Sequence, residues 1–112
     1  MLTVTTWCLP KMKEHKILAL HEAIVSAVCS IPSTKITGEK EMLNLFPSDL
    51  MKYGLGDEIK TEIVDFPREM SACDSYRLAK IVGEAVKKHF PKANVHCVAR
   101  LSVIDSHWSS VN

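Results

Sequence analysis

The first part of the chain alternates between patterns typical of strands and of a helix. Residues 2–9 are rich in β-branched and aromatic side chains and stop at Pro10, which cannot donate to a sheet, so they predict a strand. From Glu14 the apolar positions recur every three or four residues until Pro32, which predicts a helix. After a polar loop, residues 42–46 predict a short second strand that ends at Pro47. The expected buried stripe of the helix consists of Ile17, Leu20, His21, Ile24, Val28 and Ile31.

The second part of the chain follows the same order. Residues 58–66 alternate in polarity and predict a third strand with Ile59, Thr61 and Ile63 on one face. Residues 94–104 alternate in the same way and predict a fourth strand. Between them, Ser71 with Asp74 three residues later resembles a capping box and begins a helix that Pro91 ends. Its apolar stripe consists of Leu78, Val82, Ala85, Val86, His89 and Phe90.

The two parts are therefore β-α-β units, at an offset of about 55 residues. Because parallel strands are joined by right-handed crossovers, we expect both helices on one face of a single four-stranded mixed sheet. The fold class is α/β in the two-layer, α+β sense. We expect one domain over residues 1–112, with the first unit at about 1–46 and the second at about 58–104.

The sheet face without helices mixes polar and apolar side chains. A solvated face would alternate more regularly, whereas a mixed face with Trp and aliphatic residues suits burial against other subunits. We therefore expect a homo-oligomer. The predicted open face carries Thr3, Thr5, Trp7, Lys60, Glu62, His96, Arg100 and Ser102, together with Val64, Val98 and Ile104.

Composition narrows the classes of function. A formal charge of +1 gives no long-range field for nucleic acid or an anionic membrane, and no apolar run approaches the roughly 20 residues of a membrane span. The start of the chain lacks the basic region of a secretory signal, so we expect a cytoplasmic protein. The four cysteines stand singly and the histidines lack metal-binding spacing, so we expect reduced thiols, no metal and no cofactor.

This arrangement resembles the tautomerase superfamily, which includes oxalocrotonate tautomerase, carboxymethyl-hydroxymuconate isomerase and macrophage migration inhibitory factor. The resemblance covers nearly the whole chain. It rests on the duplicated plan, on the strand at the start, and on three segments: Leu-Thr-Val-Thr-Thr-Trp, Leu-Phe-Pro-Ser-Asp-Leu-Met-Lys-Tyr-Gly-Leu-Gly and His-Phe-Pro-Lys-Ala-Asn-Val. It implies a homotrimer with active sites between subunits, and proton transfer on a small unsaturated keto acid, or action on a halogenated acid.

The resemblance also implies a catalytic base at the start of the chain. Family enzymes use an N-terminal proline, exposed after removal of the initiator Met, and an amine of suitable pKa can take a proton from carbon. This sequence departs from the pattern, because Leu2 stands at the proline position and is bulky enough to keep Met1 in place. The Met1 amine could act as a weaker base; alternatively, genuine residues precede Met1, or the fold is kept without the activity.

Four further residues are candidates for binding a small carboxylate. Lys35 follows helix one, where similar proteins have a basic residue near the site, although the residue type in a polar loop favours a solvated lysine. Arg100 suits bidentate capture of a carboxylate, or a structural ion pair with Glu62. Tyr53 could close over a ligand or pack against a neighbouring chain. Trp108 is either a pocket wall at a subunit junction or an anchor for the tail.

Two other interpretations follow from the same residues. His21 and His89 lie on the predicted buried stripes and are expected to be satisfied core histidines. The alternative function is a non-catalytic tautomerase-fold or ferredoxin-like module whose open sheet face or tail contacts another protein, and the missing proline favours it. Nucleic-acid binding is disfavoured because the sheet lacks paired exposed aromatics and a basic surround.

Overall fold

The computed structural model describes residues 1–47 and 58–100. The predicted order of strands and helices is confirmed over these ranges, while the predicted loop at 48–57 and everything after Arg100 lie outside them. Two short 3₁₀ turns, Pro32–Thr34 and Glu39–Glu41, join the first helix to the second strand. The elements are β1 (Thr3–Trp7), α1 (Glu14–Cys29), β2 (Leu43–Leu45), β3 (Glu58–Val64), α2 (Ala72–His89) and β4 (Asn94–Arg100).

The four strands form one mixed sheet in the order β2-β1-β3-β4. β2 runs parallel to β1, and β4 runs parallel to β3, as two β-α-β units require. The central pair, β1 and β3, is antiparallel, with Thr3 opposite Val64 and Trp7 opposite Lys60. When the two strands are exchanged, one end of this ladder falls on the other, and Thr3 takes the place of Lys60. The sequence separation of these two residues is close to the predicted offset of about 55 residues. The sheet therefore has an approximate two-fold axis between β1 and β3, and the predicted duplication is confirmed.

Both central strands end in a left-handed residue. Cys8 follows β1 with φ 69° and Asp65 follows β3 with φ 61°, and a left-handed residue cannot continue a strand. Each is followed by an apolar residue and then by Pro10 or Pro67. β1 and β3 are consequently shorter than predicted from side-chain type alone.

The helix α1 packs one stripe on the sheet and lacks a side-chain cap at its start. Lys13, the N-cap residue, makes no capping hydrogen bond. Leu20, Ile24 and Val28 are fully buried along the predicted stripe, whereas His21 is half-buried. The imidazole of His21 is satisfied on both sides, with Nε2 2.6 Å from Glu39 Oε2 and Nδ1 3.0 Å from Asn44 Nδ2.

The helix α2 begins with half of the predicted capping box. The Asp74 backbone N–H donates to Ser71 Oγ at 3.0 Å, which satisfies one of the free amides of the first turn. The Asp74 carboxylate accepts a hydrogen bond from Ser33 Oγ at 2.7 Å, so it links α2 to the end of α1. The stripe residues Leu78, Val82 and Val86 are fully buried.

The expectation that His89 is buried is wrong, since its side chain is exposed. His89 is the last residue of α2, and its ring turns back along the helix so that Nδ1 donates to the Ala85 carbonyl at 3.0 Å. Helical periodicity places a residue on a stripe, but it does not say how far the covering layer extends beyond the helix end.

The core lies between the helices and one face of the sheet. Strand residues alternate as predicted, so that Val4, Ile59 and Ile63 are buried against the helices. α2 approaches β4 closely at Gly83, where an added Cβ would stand 3.1 Å from the Cys97 Cβ. Burial at this contact raises the pKa of the Cys97 thiol to about 12, against a weaker opposing effect of a backbone hydrogen bond with Gly83. Cys97 therefore packs between β4 and α2, and its raised pKa favours the thiol over the thiolate. Neither helix within the described ranges is long and apolar enough to cross a membrane.

Candidate functional site at the amino-terminal end of the sheet

Hydrogen bonds hold the first residues of the chain at one end of the sheet, with the Leu2 side chain in the core and the Met1 side chain at the surface. The Leu2 carbonyl accepts a hydrogen bond from the Leu43 N–H at 3.0 Å, and Thr3 Oγ1 donates to the Met1 carbonyl at 3.2 Å. The Leu2 side chain is 3% exposed and belongs to the core, whereas Met1 is 78% exposed. The position that resembles the family's proline therefore has a packing role, and the amine of Met1 stands at the surface.

Arg100 lies at the same end on the open face. Thr3 is opposite Val64, and Val64 is opposite Arg100, so the three residues form a row across the sheet. With neighbouring strands roughly 5 Å apart, the row spans about 10 Å. Arg100 Nη2 donates to Glu62 Oε2 at 2.8 Å, and Lys60 Nζ lies 3.2 Å from Glu62 Oε1. Glu62 therefore holds two cations in the single chain.

Lys35 lies beyond α1, in a left-handed conformation with φ 61° that ends the first 3₁₀ turn. Its Nζ donates to Glu69 Oε1 at 2.5 Å, and both side chains are exposed. The hydrogen bond from Lys35, then a backbone hydrogen bond and the lysine charge, lower the pKa of the Glu69 carboxyl. Because α1 returns to the end where β1 begins and β3 ends, this pair is at the same end of the molecule as Met1.

The structure thus gathers Met1, Lys35 and Arg100 at one end of the sheet, with each of the two cations beside a carboxylate. A substrate carboxylate would have to compete with Glu62 and Glu69. Exposed ion pairs contribute little in water, so such competition is feasible. Tyr53 and Trp108 lie outside the described residues. Within the described part of the chain, no group of three or more His, Cys, Asp or Glu side chains is placed to hold a metal ion.

Sequence reasoning named Glu62 as a partner for Arg100 because both lie on one strand face. It missed Glu69, which stands 34 residues from Lys35 and carries no local signal. It also missed the pair formed by His96 Nε2 and Glu58 Oε2 at 2.5 Å, farther along the open face. That pair was accessible in principle, since parallel neighbours on one face lie within side-chain reach.

Apolar side chains on the open face remain exposed in the single chain. Leu43, Leu45 and Val98 are each more than a third exposed. Leu43 and Leu45 lie beside Thr3 and Thr5, and Val98 lies beside Glu62, so polar and apolar side chains are mixed on this face. Trp7 Nε1 is buried and has no hydrogen-bond partner among the residues described. An uncovered face of this kind is typical of a surface that another chain contacts.

Comparison with known proteins supplies structural relatives and no sequence relative. No family model matches the sequence, and no curated protein matches it. A fused 4-OT, solved as an asymmetric trimer, is similar with a TM-score of 0.70 and 9% identity, covering 89% of this chain and 85% of that chain. Macrophage migration inhibitory factor of Toxoplasma gondii has a TM-score of 0.66 and 10% identity, covering 89% of this chain and 87% of the other. Malonate semialdehyde decarboxylase has a TM-score of 0.57 and 16% identity, covering 100% and 91%.

These relatives share the two-layer α+β class with its duplicated β-α-β units. The chain has the fold of the tautomerase superfamily, and the resemblance first seen in the sequence is confirmed at the level of the fold.

Proposed function

We propose that the chain is a cytoplasmic, tautomerase-like protein that assembles into a homotrimer and moves a proton between carbon atoms of a small unsaturated keto acid. The observation that carries this proposal is the row across the open face of a tautomerase fold, in which the backbones of Thr3 and Arg100 lie about 10 Å apart. In the proposal a small substrate bridges this end of the sheet, with its carboxylate at Arg100 and its reacting carbon at the Met1 amine.

The proposed chemistry uses two groups of this chain. The neutral amine of Met1 takes a proton from a carbon next to the keto group, which leaves an enolate, and returns it to another carbon of the conjugated system. Arg100 releases Glu62 and pairs with the substrate carboxylate, since a guanidinium fits a carboxylate in bidentate geometry. Lys35, released from Glu69, would stabilise the charge that develops on the oxygen.

Weak activity is part of the proposal. Met1 is largely exposed, so water surrounds the amine and the electrostatic effect of nearby charges is reduced. Self-association would change this by bringing a second chain against the open face. The exposed Leu43 and Leu45 support such an assembly, and the fused 4-OT relative was solved as a trimer.

The test compares the native chain with Leu2→Pro and Leu2→Ala, using phenylpyruvate and 2-hydroxymuconate. Both substitutions place a small residue after Met1, which allows its removal, but only Leu2→Pro exposes a secondary amine. We expect slow enol-keto conversion by the native chain, at least a tenfold gain in kcat/KM for Leu2→Pro, and no such gain for Leu2→Ala. Intact-mass measurement establishes which first residue each protein carries.

Two controls accompany this comparison. Leu2 is a core residue, so either truncation should cost about 2–3 kcal/mol of unfolding free energy, and circular dichroism must show that both variants are folded. Arg100→Gln should lower kcat/KM at least tenfold, whereas Lys60→Gln, which removes the other partner of Glu62, should leave it within twofold. Equal losses for both would contradict a substrate role for Arg100.

The second candidate is a non-catalytic interaction module. Two observations favour it: Leu2 is buried in the core, and Lys35 and Arg100 each have a carboxylate partner within the chain. These side chains therefore need no substrate to complete their contacts. If the folded native chain and folded Leu2→Pro are both inert on the two substrates, the enzyme proposal is dropped in favour of this one.

A further inference from the structure

A cavity of about 680 Å³ lies at the opposite end of β1 from Met1. Its walls come from residues 8–10 after β1, from Glu58 and Ile59 at the beginning of β3, and from residues 89–93 between α2 and β4. We call it the Cys8 cavity. Leu9, Ile59, Phe90 and Ala93 make its lining largely apolar, and its volume is within the usual range for small-ligand sites.

The two-fold axis relates this cavity to the amino-terminal end of the sheet. Under the exchange that relates Thr3 to Lys60, Ile59 corresponds to Leu2 and Glu58 to Met1. The left-handed Cys8 corresponds to Asp65. A left-handed non-glycine residue costs conformational energy and is kept only where the surrounding structure fixes it, which is common beside ligand sites.

Lysine side chains lie in the wall of the Cys8 cavity and next to it. Lys92 and His89 lie in its walls, and an adjoining depression of about 640 Å³ shares Pro10, His89 and Phe90 with it. Lys11, Lys13 and Lys16 line that depression. Within residues 1–47 and 58–100, these three lysines and Lys92 form no ion pair, although the whole chain carries a charge of only +1.

One acid, Glu58, also lies in the wall of the cavity. Glu58 Oε2 lies 2.5 Å from His96 Nε2, and Glu58 Oε1 accepts a hydrogen bond from Asn94 Nδ2 at 3.2 Å. Both of these partners are on the open face of the sheet, so Glu58 is paired within the sheet. Lysines that form no ion pair with the described residues, next to apolar walls, are complementary to a ligand that is apolar at one end and anionic at the other.

We propose that the Cys8 cavity binds an amphipathic monocarboxylate, with the hydrocarbon part against Leu9, Ile59 and Phe90 and the carboxylate at Lys92. The lysines of the adjoining depression raise the local concentration of the anion. Nδ1 of His89 donates to the Ala85 carbonyl, so Nε2 of the neutral ring is an acceptor, and the proposal assigns it no contact with the carboxylate.

The test uses dodecanoate at micromolar concentration. Dodecanol is the probe that lacks the charge, and acetate is the probe that lacks the hydrocarbon tail. Isothermal titration calorimetry of the native chain should give one dodecanoate per chain, with binding by each of the other probes at least tenfold weaker. In parallel, N-ethylmaleimide labelling is followed by peptide mass. Dodecanoate should slow the labelling of Cys8 at least fivefold and leave Cys29 unchanged, since both thiols are half-buried and only Cys8 lines the cavity.

A charge variant with a matched control locates the carboxylate. Lys92→Glu should weaken dodecanoate binding at least tenfold, as expected for the loss of a charge-assisted hydrogen bond. Lys40→Glu makes the same change at an exposed lysine outside the cavity lining and should leave binding within twofold. If both variants weakened dodecanoate binding equally, the net charge of the protein would explain the loss, and the proposal would be overturned.

Three other results would also overturn it: no heat and no Cys8 protection with dodecanoate, equal binding of dodecanol, or a Cys8 that N-ethylmaleimide cannot reach in the native assembly. The last result would make the cavity part of an interface. Failure here is distinguishable from failure of the proposed tautomerase activity, because Leu2 and Arg100 lie at the other end of the sheet.

Discussion

Two threonine side chains in the core have no hydrogen-bond partner. Thr6 and Thr61 stand opposite each other on β1 and β3, both are fully buried, and neither Oγ1 is bonded to any residue described. We predict that Thr61→Val raises the free energy of unfolding by about 1 kcal/mol, because valine has the same shape without the cost of an unsatisfied buried hydroxyl. Urea unfolding followed by circular dichroism measures the change.

Thr34 provides the matched control for this prediction. It is also buried, but its Oγ1 lies within hydrogen-bond distance of the Val28 and Ile31 carbonyls and accepts from the Ile36 N–H. Thr34→Val should therefore destabilise the chain by about 1–2 kcal/mol. Stabilisation by both substitutions would mean that hydroxyl satisfaction has no influence here.

For single residues, the sequence predicted the strand face on which a side chain lies better than it predicted the hydrogen-bond or ion-pair partner of that side chain. The alternation in β3 correctly placed Thr61 inside and Glu62 outside, because side-chain period depends only on strand geometry. It could not predict that the Thr61 hydroxyl lacks a partner or that Lys35 meets Glu69. Both facts depend on segments far apart in the chain that only tertiary packing brings together.

The two helices differ in how their first turns are satisfied. α2 has the Ser71 cap, whereas Lys13 at the start of α1 makes no capping bond. We predict that Ser71→Ala lowers the free energy of unfolding by about 1 kcal/mol and that Lys13→Ser raises it by about 0.5–1 kcal/mol, since a hydroxyl at the N-cap accepts from a free amide. Thermal and urea unfolding of the two variants would test this, and a stabilising Ser71→Ala would contradict it.

Element order was predictable because all five prolines stand between elements, where a missing amide is tolerated. Pro10, Pro32, Pro47, Pro67 and Pro91 divided the chain correctly. Exact ends were less predictable. Cys8 and Asp65 adopt left-handed backbone angles that no propensity assigns to them, and His89 completes an apolar period at a position that nothing in the described fold buries.

The whole molecule is predicted to self-associate through the open face. Leu45, which is 41% exposed on the edge strand β2, should disrupt the assembly when changed to Glu, because a charge would then be buried at the contact. Sedimentation velocity should show the native chain as a trimer and Leu45→Glu mainly as single chains at the same concentration.

Leu18→Glu is the matched control, since Leu18 is 53% exposed on α1, on the helical side of the molecule. It should leave the sedimentation coefficient unchanged. A native protein that sediments as a single chain at high concentration would contradict the assembly proposal and remove the subunit cleft on which the proposed proton transfer depends.

The site was less predictable than the fold. The duplication, the packing of helices on one face of the sheet and the open face all follow from the spacing of hydrophobic residues. That spacing can be read from short segments of the sequence. The site depends on the spatial position of Met1, Lys35 and Arg100 and on the carboxylates beside them. The Cys8 cavity was not predicted, because residues from three separate parts of the chain enclose it.

The approximate two-fold axis gives the molecule two ends with the same backbone plan. They differ in whether the first residue of the plan carries a free amine or a peptide bond to a preceding residue. At one end the plan begins at Met1; at the other the corresponding place is held by Glu58, in the middle of the chain. A gene duplication that produced this plan would have left two equivalent ends of the sheet under separate selection. Substitutions that specialise one end then leave the backbone plan of the other end intact.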